Sequence, residues 1–154
     1  MYQVLLPLHS LIRWLVLIAL LLTIFRAYRG KVTKQDFSSL DNAIMLISVK
    51  IVQIQFCIGV ALYVLSPVVS YFLHNFKEAI HFREIRFFGM EHITMMVIAV
   101  AVITAGSDKV IKATDSQIKY KIMLIWFSIG LLLILTSIPW SFSPLTSRPS
   151  FRPF

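Results

Sequence analysis

The sequence predicts an all-α integral membrane protein, an up-and-down bundle of four helices. Of its 154 residues, 58% are hydrophobic and 14% are charged, where a soluble domain carries about a quarter charged residues. The mean hydropathy is +0.80. The apolar residues are gathered into four long blocks separated by polar stretches, and about 20 apolar residues suffice for a helix to cross the hydrocarbon core. Four such helices use up the length, with no room for a separate soluble catalytic domain.

The first span is expected from Val4 to Phe25. Its block LIRWLVLIALLLTIF is almost uninterrupted, and Arg13 is the one full charge inside it. The start has no positive region and no small-residue cleavage site, so it reads as a retained helix and not as a cleavable signal. Arg26 to Asp41 reads as a polar loop, broken by Gly30 and by Ser38-Ser39, with Asp41 or Ser39 as the cap of the next helix. The second span is expected from Ala43 to Phe72, long enough to tilt or to project, with Pro67 as a kink or an exit.

Lys50, Gln53 and Cys57 recur at spacings of three and four and so share one face of that helix. Lys50 either snorkels to the interface or forms a proton or anion site with Gln53 and Gln55. Cys57 is the only cysteine. An internal disulfide, a CxxC motif and covalent CxxCH haem attachment are therefore excluded, and Cys57 reads as a small packing residue.

His74 to Arg86 is amphipathic and predicts a short interfacial helix, with His74 and His81 exposed at the membrane surface. The third span is expected from Phe87 to Ala105, ended by Gly106-Ser107-Asp108. A polar loop then runs from Asp108 to Lys121. The fourth span is expected from Ile122 to Trp140, closed by Pro139, with Trp14, Trp126 and Trp140 in interfacial or core packing. Residues 1–142 thus form the transmembrane domain. Residues 143–154 are rich in proline and serine and read as a non-helical strap.

The net charge of +8 would suggest nucleic acid in a soluble protein. Here the basic residues flank apolar spans, which points to membrane topology and anionic lipid headgroups instead. Arg26, Arg29, Lys31, Lys34, Lys109, Lys112, Lys119 and Lys121 fall on one side. Lys77, Arg83, Arg86, Arg148 and Arg152 fall on the other. The richer side is expected to be cytoplasmic, with both termini outside.

His9 and His92 carry the clearest chemical signal, because ionisable side chains inside a membrane are costly and tend to have a task. Each lies about five residues into its helix, roughly 7–8 Å from the helix start. The first and third spans run in the same direction and are diagonal partners, on the order of 11–14 Å apart. That gap suits a flat macrocycle between two imidazoles. Arg13, four residues after His9, and Arg83 and Arg86, before the third span, are candidate partners for its carboxylates. Met95 and Met96 are placed to pack one face of it. Structural polar contacts remain open beside this reading, with Glu91 pairing Arg13, Arg83 or Arg86 for packing alone, as does other metal or quinone chemistry. No P-loop, GxSxG, HExxH or dinucleotide fingerprint is present.

At PLHSLIRW, REIRFFGMEHITMM and the terminal IPW followed by RP, nearly the whole chain resembles a group of small bacterial four-span membrane proteins loosely labelled cytochrome B. The resemblance implies a b-type cytochrome-like four-helix bundle in the inner membrane, with His9 and His92 as axial ligands of one haem b. It implies Arg13, Arg83 and Arg86 as their companions. The expected role is electron transfer between the quinone pool and an outer-side partner, with no substrate chemistry and no catalytic residue. The alternative is a non-catalytic accessory subunit of a larger respiratory or secretion complex. A small transporter using Lys50 is a third reading.

Overall fold

The computed structural model describes residues 1–140; the expected strap at 143–154, with Arg148 and Arg152, lies outside the described residues. Among these, four helical stretches are long and apolar enough to cross a membrane. The chain runs through α1 (Tyr2–Val32), α2 (Ser39–Leu65), the short α3 (Pro67–His74), α4 (Phe76–Ala79) and α5 (Arg83–Arg86), then a π-helical turn (Phe87–Glu91), α6 (His92–Lys112) and α7 (Ser116–Ser137). The long helices form a ring in which α1 packs on α2, α2 on α6, α6 on α7 and α7 on α1. Helices α1 and α6 are therefore the diagonal pair, as expected of an up-and-down bundle.

The helices outrun the apolar blocks. Helix α1 continues two turns beyond Phe25, and Gly30 does not break it. Its end is made by backbone geometry. Lys34 has φ 50, Gln35 N–H bonds Gly30 O at 3.1 Å and Lys34 N–H bonds Lys31 O at 3.4 Å. This is the Schellman arrangement, here with a lysine in the left-handed position. Gly30 instead admits a ring. A Cβ there would lie 2.2 Å from Tyr120 Cζ, so α7 approaches α1 only over a bare backbone.

Helix α2 is capped by Ser38, and Asp41 is its capping-box partner. Ser38 N–H donates to Asp41 Oδ2 at 3.0 Å and Asp41 N–H to Ser38 Oγ at 3.2 Å. The second span stops at Leu65, and Ser66 caps α3 with Pro67 in its first turn, where no N–H is needed. The 74–86 segment is two single helical turns, not one amphipathic helix. Gly106-Ser107-Asp108 does not end the third span. Ser107 is buried and α6 runs on to Lys112, so the loop before α7 shrinks to residues 113–115. Asp115 caps α7 through Ile118 N–H at 2.8 Å, and the helix stops at Ser137, before Pro139.

Leu20, Met45, Val52, Ile103, Met123 and Phe127 fill the bundle axis, while Leu11, Leu15, Ile18 and Leu22 face outward, where lipid would lie. Halfway along, the Thr23 and Ser48 hydroxyls share a 2.8 Å hydrogen bond. The Ala19 and Ile44 carbonyls accept from the same pair. The face shared by Lys50 and Cys57 points away from the bundle, as both are exposed. Cys57 is thus not a packing residue, and Lys50 does not join Gln55 in an interior site.

Candidate functional site

At the end of the bundle where α1 and α6 begin, the four long helices and the start of α3 wall a recess. Its polar wall is His9, Ser10 and Arg13 from α1, Gln55 and Tyr63 from α2, and His92 from α6. The two histidines expected to meet do face one space, and Met96 joins the wall beside His92. Tyr2 and Ser66 add two hydroxyls, the rest of the lining is apolar, including Val16, Val52, Ala99 and Ile134, and among the described residues no carboxylate contributes to it.

Pro139 accounts for the setting of His92. It stands just beyond the last turn of α7, where carbonyls lack helical N–H partners. One of these, Ser137 O, lies 2.8 Å from His92 Nδ1. A carbonyl can only accept, so Nδ1 carries the hydrogen, and in the neutral ring the lone pair sits on Nε2. Ligating histidines are oriented in this manner, through the ring nitrogen that does not bind. No hydrogen bond among the described residues engages Nε2 of His92 or of His9.

The π-helical turn ends at the residue before His92. A turn of this kind inserts one residue and re-aims the side chains beyond it, and such turns are frequent at functional sites. Here it is braced from two sides. Tyr63 Oη donates to Gly89 O at 2.7 Å. Arg86 pairs with Glu91 at 2.6 Å and also donates to Ile80 O at 3.0 Å. The Phe87 and Phe88 rings stand 5.7 and 6.5 Å from the His92 ring.

His9 is held differently. Gln55 Nε2 donates to its backbone carbonyl at 2.8 Å, while His9 Nδ1 and Gln55 Oε1 are buried without a hydrogen-bond partner among the described residues. A Cβ on Gly59 would lie 3.2 Å from His9 Cε1, so glycine gives the ring its room. Arg13 donates to Ser10 Oγ at 3.5 Å and lies 5.5 Å above the Trp14 ring. Trp14 meets Trp140 edge to face at 6.2 Å.

Arg83 and Arg86 do not reach the recess. Arg83 is exposed in α5, and Arg86 is engaged with Glu91, so neither serves as a companion of the histidines. Met95 lies outside the wall, and His74 and His81 are exposed on the surface segment. The brace made by Gln55, Gly59 and Tyr63 is not among the expectations from sequence, where Gln55 enters only beside Lys50. Their spacing of four puts them on one face of α2, and that stripe of two polar residues and a glycine was its available signal.

Among the described residues, no three His, Cys, Asp or Glu side chains converge as a metal site. A bare metal ion commonly takes three or four protein ligands. Two imidazoles facing one space instead suit a planar group that brings four nitrogen donors of its own and needs only axial ligands. The cavity volume of the recess is ≈ 230 Å³, and it opens to the outside. Pockets for small molecules and cofactors run roughly 300–1,000 Å³, so a group of macrocycle size would have to extend out through the mouth. No family model, curated protein or solved structure matches the chain.

Proposed function

We propose that this chain is a multi-pass haem b-binding membrane protein that carries electrons, with His9 and His92 as the axial pair of a single haem. The observation that supports it is the pair of imidazoles from diagonal helices that share one largely apolar recess, with no hydrogen bond to either Nε2 among the described residues. When bound, the haem iron supplies a one-electron couple. The protein supplies the rest. Ser137 O holds the His92 ring in the tautomer that leaves Nε2 to bind. Phe87 and Phe88 flank that ring. Arg13 places a guanidinium on the wall, where a carboxylate side arm would find a fork of donors. Apolar residues from all four long helices limit water at the centre, which is a protein's main lever on a redox potential besides its ligands.

In this reading the protein resides in a bacterial inner membrane and exchanges electrons with the quinone pool and an outer-side partner in a larger complex. The recess then lies at the outer end, and the lysines and arginines around the 33–38 and 113–115 loops lie in the cytoplasm. An impermeant maleimide applied to intact cells is expected to label Lys77→Cys on a Cys57→Ser background and to spare Lys34→Cys. The reverse pattern inverts the topology.

The experiment for the cofactor is a visible spectrum with haem quantification on protein purified from haem-replete cells. One haem per chain is expected, with the Soret band lost or shifted in both His9→Ala and His92→Ala. A colourless wild type that co-purifies at fixed stoichiometry with larger membrane proteins would replace this reading with that of an accessory subunit.

A further inference from the structure

We propose that Gln55 is a positioning residue for His9, acting through one buried water held between His9 Nδ1 and Gln55 Oε1. The inference rests on the haem reading for its purpose, though not for its geometry. Two buried polar atoms on the same wall lack partners among the described residues. Gln55 is anchored to His9 itself, through its Nε2 on the His9 carbonyl at 2.8 Å, so its amide stays beside the same residue. A buried donor or acceptor left unmade costs about 1–3 kcal/mol, and buried waters are the ordinary means of satisfying such groups, given at least two polar partners.

The hydrogen-bond directions are consistent. Nδ1–H donates to the water, the water donates to Oε1, and the His9 lone pair is left on Nε2. Other wall groups fit this role less well. Arg13 has no acceptor, Ser10 Oγ already accepts from Arg13, and Tyr63 Oη is committed to Gly89 O. Gly59, one turn after Gln55, keeps the space beside the ring open, since a Cβ there would stand 3.8 Å from Nδ1 as well as 3.2 Å from Cε1. The two axial histidines then have different acceptors. His92 has a fixed backbone carbonyl, and His9 has an adjustable amide reached through water. Orienting partners of this kind raise the basicity of a ligating imidazole.

The first readout needs no haem. Histidine ¹⁵N shifts of the cofactor-free protein in detergent, assigned with His9→Ala, are expected to show the Nδ1–H form for His9. Gln55→Met is expected to lose it and Gln55→Glu, which keeps an acceptor, to restore it. The second readout is the midpoint potential of the haem-loaded protein. It is expected to shift upward in Gln55→Met with the Soret band retained, and to return to or below the wild-type value in Gln55→Glu. A wild-type His9 in the Nε2–H form overturns the proposal even if neither variant folds. Unchanged tautomer and potential in Gln55→Met overturn it too, leaving Gln55 as a strut for the His9 carbonyl. A wild type that takes up no haem counts against the proposed function, and the tautomer result then still decides the role of Gln55.

Discussion

The two ends of the bundle treat buried polar groups in opposite ways. At the end where α1 finishes and α2 and α7 begin, Asp41 is nearly inaccessible and both its oxygens are engaged. Arg26 donates twice to Oδ1, at 2.9 and 2.7 Å. Oδ2 accepts from Tyr120 Oη at 2.7 Å and from Ser38 Oγ at 2.6 Å. One carboxylate thus ties three helices together, and no lone pair is left for a visitor. At the opposite end His9, Gln55 and His92 are positioned by hydrogen bonds that use only part of their capacity. A satisfied buried cluster stabilises a fold, and an oriented group with a nitrogen to spare is what a binding site requires.

If that contrast is right, breaking the first end should cost the protein far more stability than breaking the second, whose loss should fall mainly on its chemistry. The largest expected loss is in Asp41→Ala. It strands Arg26, Tyr120 and the α2 cap together, and breaking a buried pair costs about 3–5 kcal/mol. Reversible unfolding in mixed detergent micelles reads this, and a loss below about 1 kcal/mol would remove the distinction between the ends. Gly30→Ala comes next, because its Cβ would overlap the Tyr120 ring. Overpacking of that kind costs about 1–3 kcal/mol in the same assay. Tyr63→Phe removes one hydrogen bond at the recess end and should cost about 1 kcal/mol, with the π-helical turn loosened and any haem spectrum broadened. Ser48→Ala, which touches neither end, should cost about 0.6 kcal/mol, the average for a polar contact between helices in a bilayer.

The same contrast explains what could be read from the chain alone. The apolar blocks give the number of spans, their alternation and the shared depth of His9 and His92, because hydrophobicity reports where the bilayer is. It does not report where helical hydrogen bonding stops. Residues 26–32 and 106–112 are polar yet helical, and their ends depend on Lys34 taking a left-handed conformation and on the lack of a breaker before Ala113. Asp41 looked like a cap and proved to be the centre of a network, since its partners Arg26 and Tyr120 are remote in sequence. Arg83 and Arg86 stand just before the third span, at the end of the bundle where the recess lies. The π-helical turn, which has no recognisable sequence pattern here, instead directs Arg86 to Glu91. Lys50, Gln53 and Cys57 were conspicuous because they are chemically costly, whereas the inward stripe of Gln55, Gly59 and Tyr63 was modest in composition and decisive in position.

The most direct test of the two-histidine site is low-temperature electron paramagnetic resonance of the oxidised, haem-loaded protein. Axial ligation by His9 and His92 predicts a low-spin ferric signal of bis-imidazole type in the wild type, converted to high-spin or lost in His9→Ala and in His92→Ala, with both variants still folded. A high-spin wild-type signal, or a low-spin signal that survives either substitution, would contradict it.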